Sequence, residues 1–499
     1  MRAVRRVTVD DAGLDAWVRP WDGLVREAED GDGTFTAAEG PFREYRRTVR
    51  VERADDGRHR VTSTAEFRLA LPYWSWLLSL PVRHALLSPG APLPWWGPAD
   101  RLDAHAASAL GVLCMASAVV GYVGTSMTQT ITYASDDFHL RGDRPQSVAL
   151  AAARICVFLA VAIVALADRR GRRRLLLWSA TGALLFGATT ALAPSIGWYT
   201  GSQILTRSCS TAMAVLITVL AAEEMPAGAR AFGVSVLGMS AALGAGVCVL
   251  ALPLADTNEG GWRWLFVIPL IALPLMRHIG ARLRESRRFE RAHDIPAAIG
   301  HRDRLILLAA AVFLLQLFTA PASQLQNEFL RDERNYSAFG ISMFAVFTST
   351  PAGIGIVAGG RLADVHGRRI VGAIGLVVGV GGTVATFLSS GASMWTWSVI
   401  ASIIGGFTLP ALGVYGPELF PTGVRARANG MLTVAAVAGS AIGLIAAGWL
   451  SDTIGGLGHA LAVLSIGPAL LTVLVLLRFP ETARKELEEL NPEDAALAT

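Results

Sequence analysis

Charge is what this chain has least of. Only 17% of its 499 residues are charged, while 52% are hydrophobic; soluble chains carry about 25% charged residues. That shortage excludes one large water-soluble core. Lysine is almost missing, Lys485 being the single one. The basic residues are arginines placed in short loops and not gathered into a patch, so the basic pI of about 9.1 implies no nucleic-acid partner. Four cysteines, Cys114, Cys156, Cys209 and Cys248, fall singly within apolar runs. This excludes a disulfide framework or a thiolate metal site and predicts buried free thiols. Nine histidines show no ligand spacing, and no Gly-Lys-Ser/Thr phosphate loop occurs, so neither a metal, a cofactor nor ATP-driven pumping is expected. No catalytic constellation appears, and no enzyme is expected. The first twenty residues have no apolar core, so no cleavable signal peptide is expected.

What is there instead is length of apolar chain. From residue 106 onward, runs of about 20 apolar residues recur between short charged or Pro/Gly breaks, each long enough to cross a hydrocarbon core of about 30 Å. The pattern predicts twelve spans, at 106–133, 145–167, 175–194, 197–222, 232–254, 263–279, 304–327, 338–362, 370–389, 393–416, 428–450 and 458–478. Arginine crowds the exits of even-numbered spans: "DRRGRRR" follows the second, a basic stretch follows the sixth, "DVHGRR" the eighth and "GVRAR" the tenth. The loops on the other side carry few. This asymmetry orients the even exits and both termini toward the cytoplasm, in an inner or plasma membrane.

Residues 1–104 are a different material. Fifteen Arg and sixteen acids nearly cancel there. Strand-like alternation on either side of "ADDG", with Val61, Phe67, Leu69 and Leu71 on one parity, predicts a hairpin. "PYWSWLLSLPVRHALL" is too short and Pro-broken to span; Tyr73, Trp74 and Trp76 suit a headgroup layer. "SPGAPLPWWGP" reads as a stiff linker. The expected organisation is therefore a small α+β cytoplasmic domain at 1–104, bundles at 105–279 and 304–479, a basic linker at 280–303 and a tail at 480–499. The domain is read as an accessory unit lying against the membrane, or as a ligand-sensing unit.

The two bundles repeat one another. Moved by 195 positions, "EEMPAGARAFG" meets "ELFPTGVRARANG": Glu223 falls on Glu418, Pro226 on Pro421, Gly228 on Gly423 and Arg230 on Arg425. Moved by 196, Asp168, Gly171, Arg172 and Arg173 fall on Asp364, Gly367, Arg368 and Arg369, and Glu285 falls on Glu481. Three matches in order imply two six-span halves in parallel topology, an all-α membrane protein beside the small N-terminal domain.

With "D-R-x-G-R-R" after the second span and "G-R-L-A-D-V-H-G-R-R" after the eighth, the chain resembles the major facilitator superfamily. "ELFPTGVR" and "PETARKELEE" are similar to its sugar-porter and metabolite:proton-symporter branch. The resemblance covers residues 106 to 490 and not the N-terminal domain. It implies alternating access around a site between the halves, a small-molecule substrate, a monomeric transport unit in the lipid bilayer and proton-coupled symport. It also implies a cytoplasmic gate made of Asp168, Gly171, Arg172, Arg173, Glu223, Arg230, Glu285 and their counterparts Asp364, Gly367, Arg368, Arg369, Glu418, Arg425 and Glu481. Paired acids and arginines at span ends can hold two bundles together and bias a two-state element; as topology signals alone they would do no more than orient the chain. One position departs from the repeat: Gly360 in the second copy meets Val164 in the first, which predicts looser packing in the first.

Ionisable residues inside spans are costly and suspect. Arg154 and Arg207 qualify, either as substrate or coupling residues or as arginines tied to carbonyls. Arg207 resembles the fourth-span arginine of the superfamily, without the glycines that usually follow it ("RSCSTAMA"). Gln316, Gln324 and Asn327 in the seventh span form a cavity-facing polar stripe or interhelical glue. No carboxylate sits mid-span, so a proton would use Asp136, Asp137 or Glu328, or travel on a substrate carboxylate, or else the protein is a uniporter. The sugar-porter "Q-Q-x-S-G" and the antiporter "G-P-x-x-G-G" elements are both missing, which demotes hexoses and drug efflux. The expectation is a transporter of a small polar metabolite, an organic anion favoured, with an exporter, a sugar transporter or a transporter-like receptor as alternatives.

Overall fold

The computed structural model describes residues 1–53, 58–89, 93–94, 96–139, 153, 155–256, 260–283, 285, 301–326, 329–336 and 338–497. The predicted hairpin is there, β4 (Phe42–Arg53) paired antiparallel with β5 (His59–Leu69), and its "ADDG" tip lies outside the described residues. It belongs to a larger sheet. β1 (Arg2–Val9), β2 (Arg26–Glu29) and β3 (Thr34–Glu39) complete five strands in the order β1-β5-β4-β3-β2. Period-two alternation sends Ala3, Tyr45, Ala65 and Phe67 to one face, where Val82 and Leu86 at the end of helix α2 (Ser75–Ala85) cover them. Helix α1 (Asp11–Val18) supplies Trp17 to a second small core with Trp21 and Val61. Arg47 is fully buried between the Trp21 and Phe35 rings, 4.1 Å from each centroid, and pairs with buried Glu27 at 2.6 Å. Burying a cation is tolerable only with such pairing.

Helix α2 is amphipathic, with Trp76 and Leu80 about 70% exposed and Ser79 and Val82 buried. Of the aromatics assigned to the headgroup layer, only Trp76 is free for it. The Trp74 indole donates to the Gly111 carbonyl at 3.0 Å, and Tyr73 packs edge-on against His278.

The remaining chain is two six-helix repeats. The first half comprises Ala104–Asp137, Cys156–Arg170, Arg172–Thr190, Ile196–Glu224, Arg230–Ala251 and Gly261–Ala281. The second comprises Arg302–Gln324, Ala352–His366 (preceded by Ala338–Ser349), Arg368–Leu388, Gly391–Glu418, Arg425–Ile454 and Leu457–Arg478. Among the described residues, ten helices are long and apolar enough to cross a membrane. The second and third spans complete the twelve; the third falls short because it opens on Arg172, Arg173 and Arg174. The chain is a multi-pass membrane protein. The eighth span breaks at Thr350 and Pro351, and the tenth is three helical pieces ending at Gly405, Gly413 and Glu418.

Both terminal segments pack at the same end of the bundle, called the terminal end below. Gly171 and Gly367 turn the chain there between the second and third and the eighth and ninth spans, with φ of 97° and 98°, a region that favours glycine. All four cysteines are buried and free.

Candidate functional site

The terminal end holds a buried ionic cluster, and it follows the repeat residue by residue. Arg172 pairs with Glu223 within the first half, as Arg368 pairs with Glu418 within the second. Each glutamate then takes an arginine from the opposite half: Arg425 pairs with Glu223, and Arg230 lies 3.6 Å from Glu418. All six side chains are sealed from solvent. Each carboxylate is thus shared between one arginine of its own half and one of the opposite half.

Other bonds cross the same seam. Asp364 accepts from the backbone N–H groups of Phe232 (3.1 Å, at Oδ2) and Ala231 (3.4 Å, at Oδ1), which open the fifth span, and its Oδ1 also accepts from Arg368 at 3.2 Å. A carboxylate at a helix N-terminus meets unsatisfied N–H donors and the positive end of the helix dipole. Its counterpart Asp168 ends the second span, but its side chain lies outside the described residues. Arg172 donates to the Thr422 carbonyl across the seam.

Four residues expected in the same cross-bundle set work within one half instead. Glu285 accepts from the N–H groups of Arg172 and Arg173 (3.0 and 3.1 Å), and Glu481 from those of Arg368 and Arg369 (3.0 and 3.3 Å). The Arg173 guanidinium binds the Gly280 carbonyl at 2.6 Å, and Arg369 binds the Leu476 carbonyl, 196 positions on. These residues cap the third and ninth spans and staple them to the sixth and twelfth.

The C-terminal tail joins the cluster, which the repeat gave no reason to expect. Asp494 accepts from the Thr422 N–H and hydroxyl (3.0 and 2.9 Å) and from Arg425 (3.3 Å). Glu486 pairs with Arg230 at 3.2 Å. The acids of "ELEELNPEDA", following a span end already rich in arginine, were the available signal.

The predicted looseness around Val164 is absent, for a steric reason. A Cβ on Gly360 would lie 2.6 Å from the Ser235 hydroxyl and 3.0 Å from the Phe232 Cα, so this glycine lets the fifth and eighth spans touch. In the related contact, between the second and eleventh spans, Val164 faces Gly430, whose own Cβ would sit 3.4 Å from the valine methyl. Gly430 is the repeat partner of Ser235. The small residue has changed helices, and both seams close. Ala231, Val234, Ala363, Ala411 and Val414 form an apolar cluster across the seam. At the opposite end, by contrast, each of two apolar clusters draws on one half alone.

Above the ionic cluster lies a cavity of about 340 Å³, lined by Ala214, Val215 and Thr218 of the fourth span and by Leu308, Leu315, Gly416 and Asn429 of the second half. Arg207 continues the Thr218–Ala214 face of the fourth span, about 26 Å from its Glu224 end. Its guanidinium reaches the Gly124 carbonyl at 3.4 Å, a long hydrogen bond, and the Cys156 thiol. Among the described residues no carboxylate pairs with it. Gln316, about 21 Å up the seventh span, stands at similar depth in the other half, its amide oxygen accepting from the Thr319 hydroxyl at 2.6 Å. Gln324 is exposed at the end of its helix. Arg154, Asn327 and Glu328 lie outside the described residues, as does the side chain of Asp136. Asp137 pairs with Arg263 at 2.6 Å and accepts from the Trp262 indole at 3.1 Å, binding the first span to the sixth.

Comparison with known proteins agrees with this architecture. The sequence profile of the Major Facilitator Superfamily matches residues 109–323 and again 305–498. No curated protein matches the chain. Among solved structures, the proton:xylose symporter XylE bound to 6-bromo-6-deoxy-D-glucose superposes with a TM-score of 0.68 at 16% identity, over 78% of this chain and 98% of that one. The human organic anion transporter MFSD10 gives 0.61 at 14%, over 73% and 98%. The E. coli fucose:proton symporter FucP gives 0.60 at 11%, over 74% and 98%. At these identities the likeness is one of fold.

Proposed function

The chain belongs to the Major Facilitator Superfamily, and from that premise we propose that it carries a small organic anion across the membrane by alternating access. The observation behind the anion is Arg207: a guanidinium with five donors, deep in the bundle, reaching the Gly124 carbonyl at 3.4 Å and the Cys156 thiol but no described carboxylate. An unpaired cation inside a membrane is expensive unless something anionic visits it. The human organic anion transporter among the structural neighbours is compatible with this reading.

The terminal end is read as the cytoplasmic gate, on the strength of the arginine bias of its loops, and the conformation as closed there. Coupling to a proton is part of the proposal. Asp137 is committed to Arg263; of the remaining carriers, Asp136, Glu328 and the substrate carboxylate, the proposal takes the last. A hexose has less behind it, because the sugar-porter "Q-Q-x-S-G" element is missing.

The test is thermal stabilisation of the purified protein against carboxylates, sugars, amino acids and cationic drugs. A ligand at about 100 times its dissociation constant stabilises by about 2.7 kcal/mol. A carboxylate response that disappears in Arg207→Ala is expected. A response to sugars or cationic drugs alone, unaffected by that substitution, would overturn the anion reading.

A further inference from the structure

The linker that enters the first span is fastened at two points, and they belong to different halves. Arg361, in the eighth span, donates to the main-chain carbonyls of Leu93 (3.0 Å), Gly97 (3.2 Å) and Pro94. Three residues later, Asp100 is bonded in both directions to Gly228, in the turn between the fourth and fifth spans. The Gly228 N–H donates to the Asp100 carboxylate at 2.9 Å, and the Asp100 N–H donates to the Gly228 carbonyl at 3.3 Å. Arg101 then grips the sheet domain through Asp22, Glu39 (3.2 Å) and the Gly23 carbonyl (3.0 Å).

Both fastenings depart from the internal repeat. The first-half counterpart of Arg361 is Ala165. The second-half counterpart of Gly228 is Gly423, which has open space where its side chain would be, whereas a Cβ on Gly228 would overlap the Asp100 carboxylate. Residues that served only to bind bundle to bundle would have a use in both copies. These two serve a feature present once, the N-terminal domain.

We propose that the linker is a strap across the gate, and that the N-terminal domain through it sets how readily the gate opens. The reach of the chain gives the mechanics. Between Gly97, held by the second half, and Asp100, held by the first, three residues extend to at most about 10 Å. Parting the halves beyond that slack unhooks Arg361 from its carbonyls or Asp100 from Gly228. Charge-assisted bonds from a guanidinium to three carbonyls resist such unhooking more than neutral bonds do. The strap rests on the reading of the terminal end as the moving gate, so the experiment separates the two.

Spin labels on Arg170→Cys and His366→Cys, exposed ends of the second and eighth spans, report the separation of the halves in the full chain reconstituted in nanodiscs, with the four native cysteines replaced. Arg361→Ala and Asp100→Ala each remove one fastening, and Gly228→Ala expels Asp100 without changing a charge. Each is expected to raise the long-distance population about tenfold, the worth of one hydrogen bond to a charged group. The double variant Arg361→Ala/Asp100→Ala is expected to add nothing, because a strap cut at one end is cut. Effects that multiply in the double variant would overturn the strap in favour of two independent local contacts. Unchanged distances in all three single variants, with opening in the gate variant Asp364→Asn, would overturn it too. No opening even in Asp364→Asn would remove the gate reading and the strap together.

Discussion

Asp364→Asn isolates what one carboxylate does for closure. Its bond to Arg368 lies within one half and survives opening, so it cancels. What opening breaks are the two bonds from the Ala231 and Phe232 N–H groups. A hydrogen bond to a charged group is worth about 1.5–3 kcal/mol and one to a neutral group about 0.5–1.5, so each bond loses about 1 kcal/mol. The charge also faces the N-terminus of the fifth span, worth about 1 kcal/mol more in a partly buried setting. The sum, about 3 kcal/mol, shifts the closed-to-open ratio on the order of 100-fold. Thr218→Cys, in the cavity above the cluster, provides the assay in a background without the native cysteines. Its reaction rate with a membrane-impermeant maleimide added from the terminal side follows the open fraction. An unchanged rate in a monodisperse, folded Asp364→Asn protein would refute the assignment of these bonds to closure.

Arg207→Ala is expected to abolish uptake while leaving insertion and elution profile intact; near-normal uptake in proteoliposomes would end its assigned role. Gly430→Val should jam the second span against the eleventh through Val164, and Val164→Gly added to it should restore closure in the same maleimide assay. In the sheet domain, Arg47→Ala strands buried Glu27 and should cost about 3–5 kcal/mol, read as faster hydrogen exchange of β4 and β5 with the spans unaffected. Burial first, and then the facing Glu27, hold the Tyr45 hydroxyl well above its ordinary 10.0. Folding favours its protonated form, so its contribution is whole below pH 10 and falls as the pH rises past it. Sheet stability should decline there, and Tyr45→Phe should remove that part of the slope.

How much of this was legible beforehand depends on whether a feature is local or shared. The spans are local, since apolar length alone dictates them, and the paired motifs of the two halves named Glu223, Arg230, Asp364 and Arg425 by position. Who binds whom is not local. Arg173, Arg369, Glu285 and Glu481 carry the same charges as the cross-seam residues, yet geometry turns them back into their own half. The exchange of a small side chain between Gly360 and Gly430 could not be read from one helix, because each seam needs a small residue on either side and not on a given one. In the N-terminal domain the long alternating strands β4 and β5 were readable. β2, four residues of Arg-Glu-Ala-Glu, has too little apolar signal to announce a strand.

The shared glutamates have a consequence for how the molecule moves. When the halves part at the terminal end, Glu223 leaves with Arg172 and Glu418 leaves with Arg368, while Arg425 keeps Asp494. Each of these acids departs already neutralised. The cluster works as a coupling that changes hands, closer to a clutch than to a bolt, and no proton has to be taken up for it to disengage. Acidity can still reach the seam through Asp364, whose protonation would weaken the Ala231 and Phe232 bonds as Asp364→Asn does.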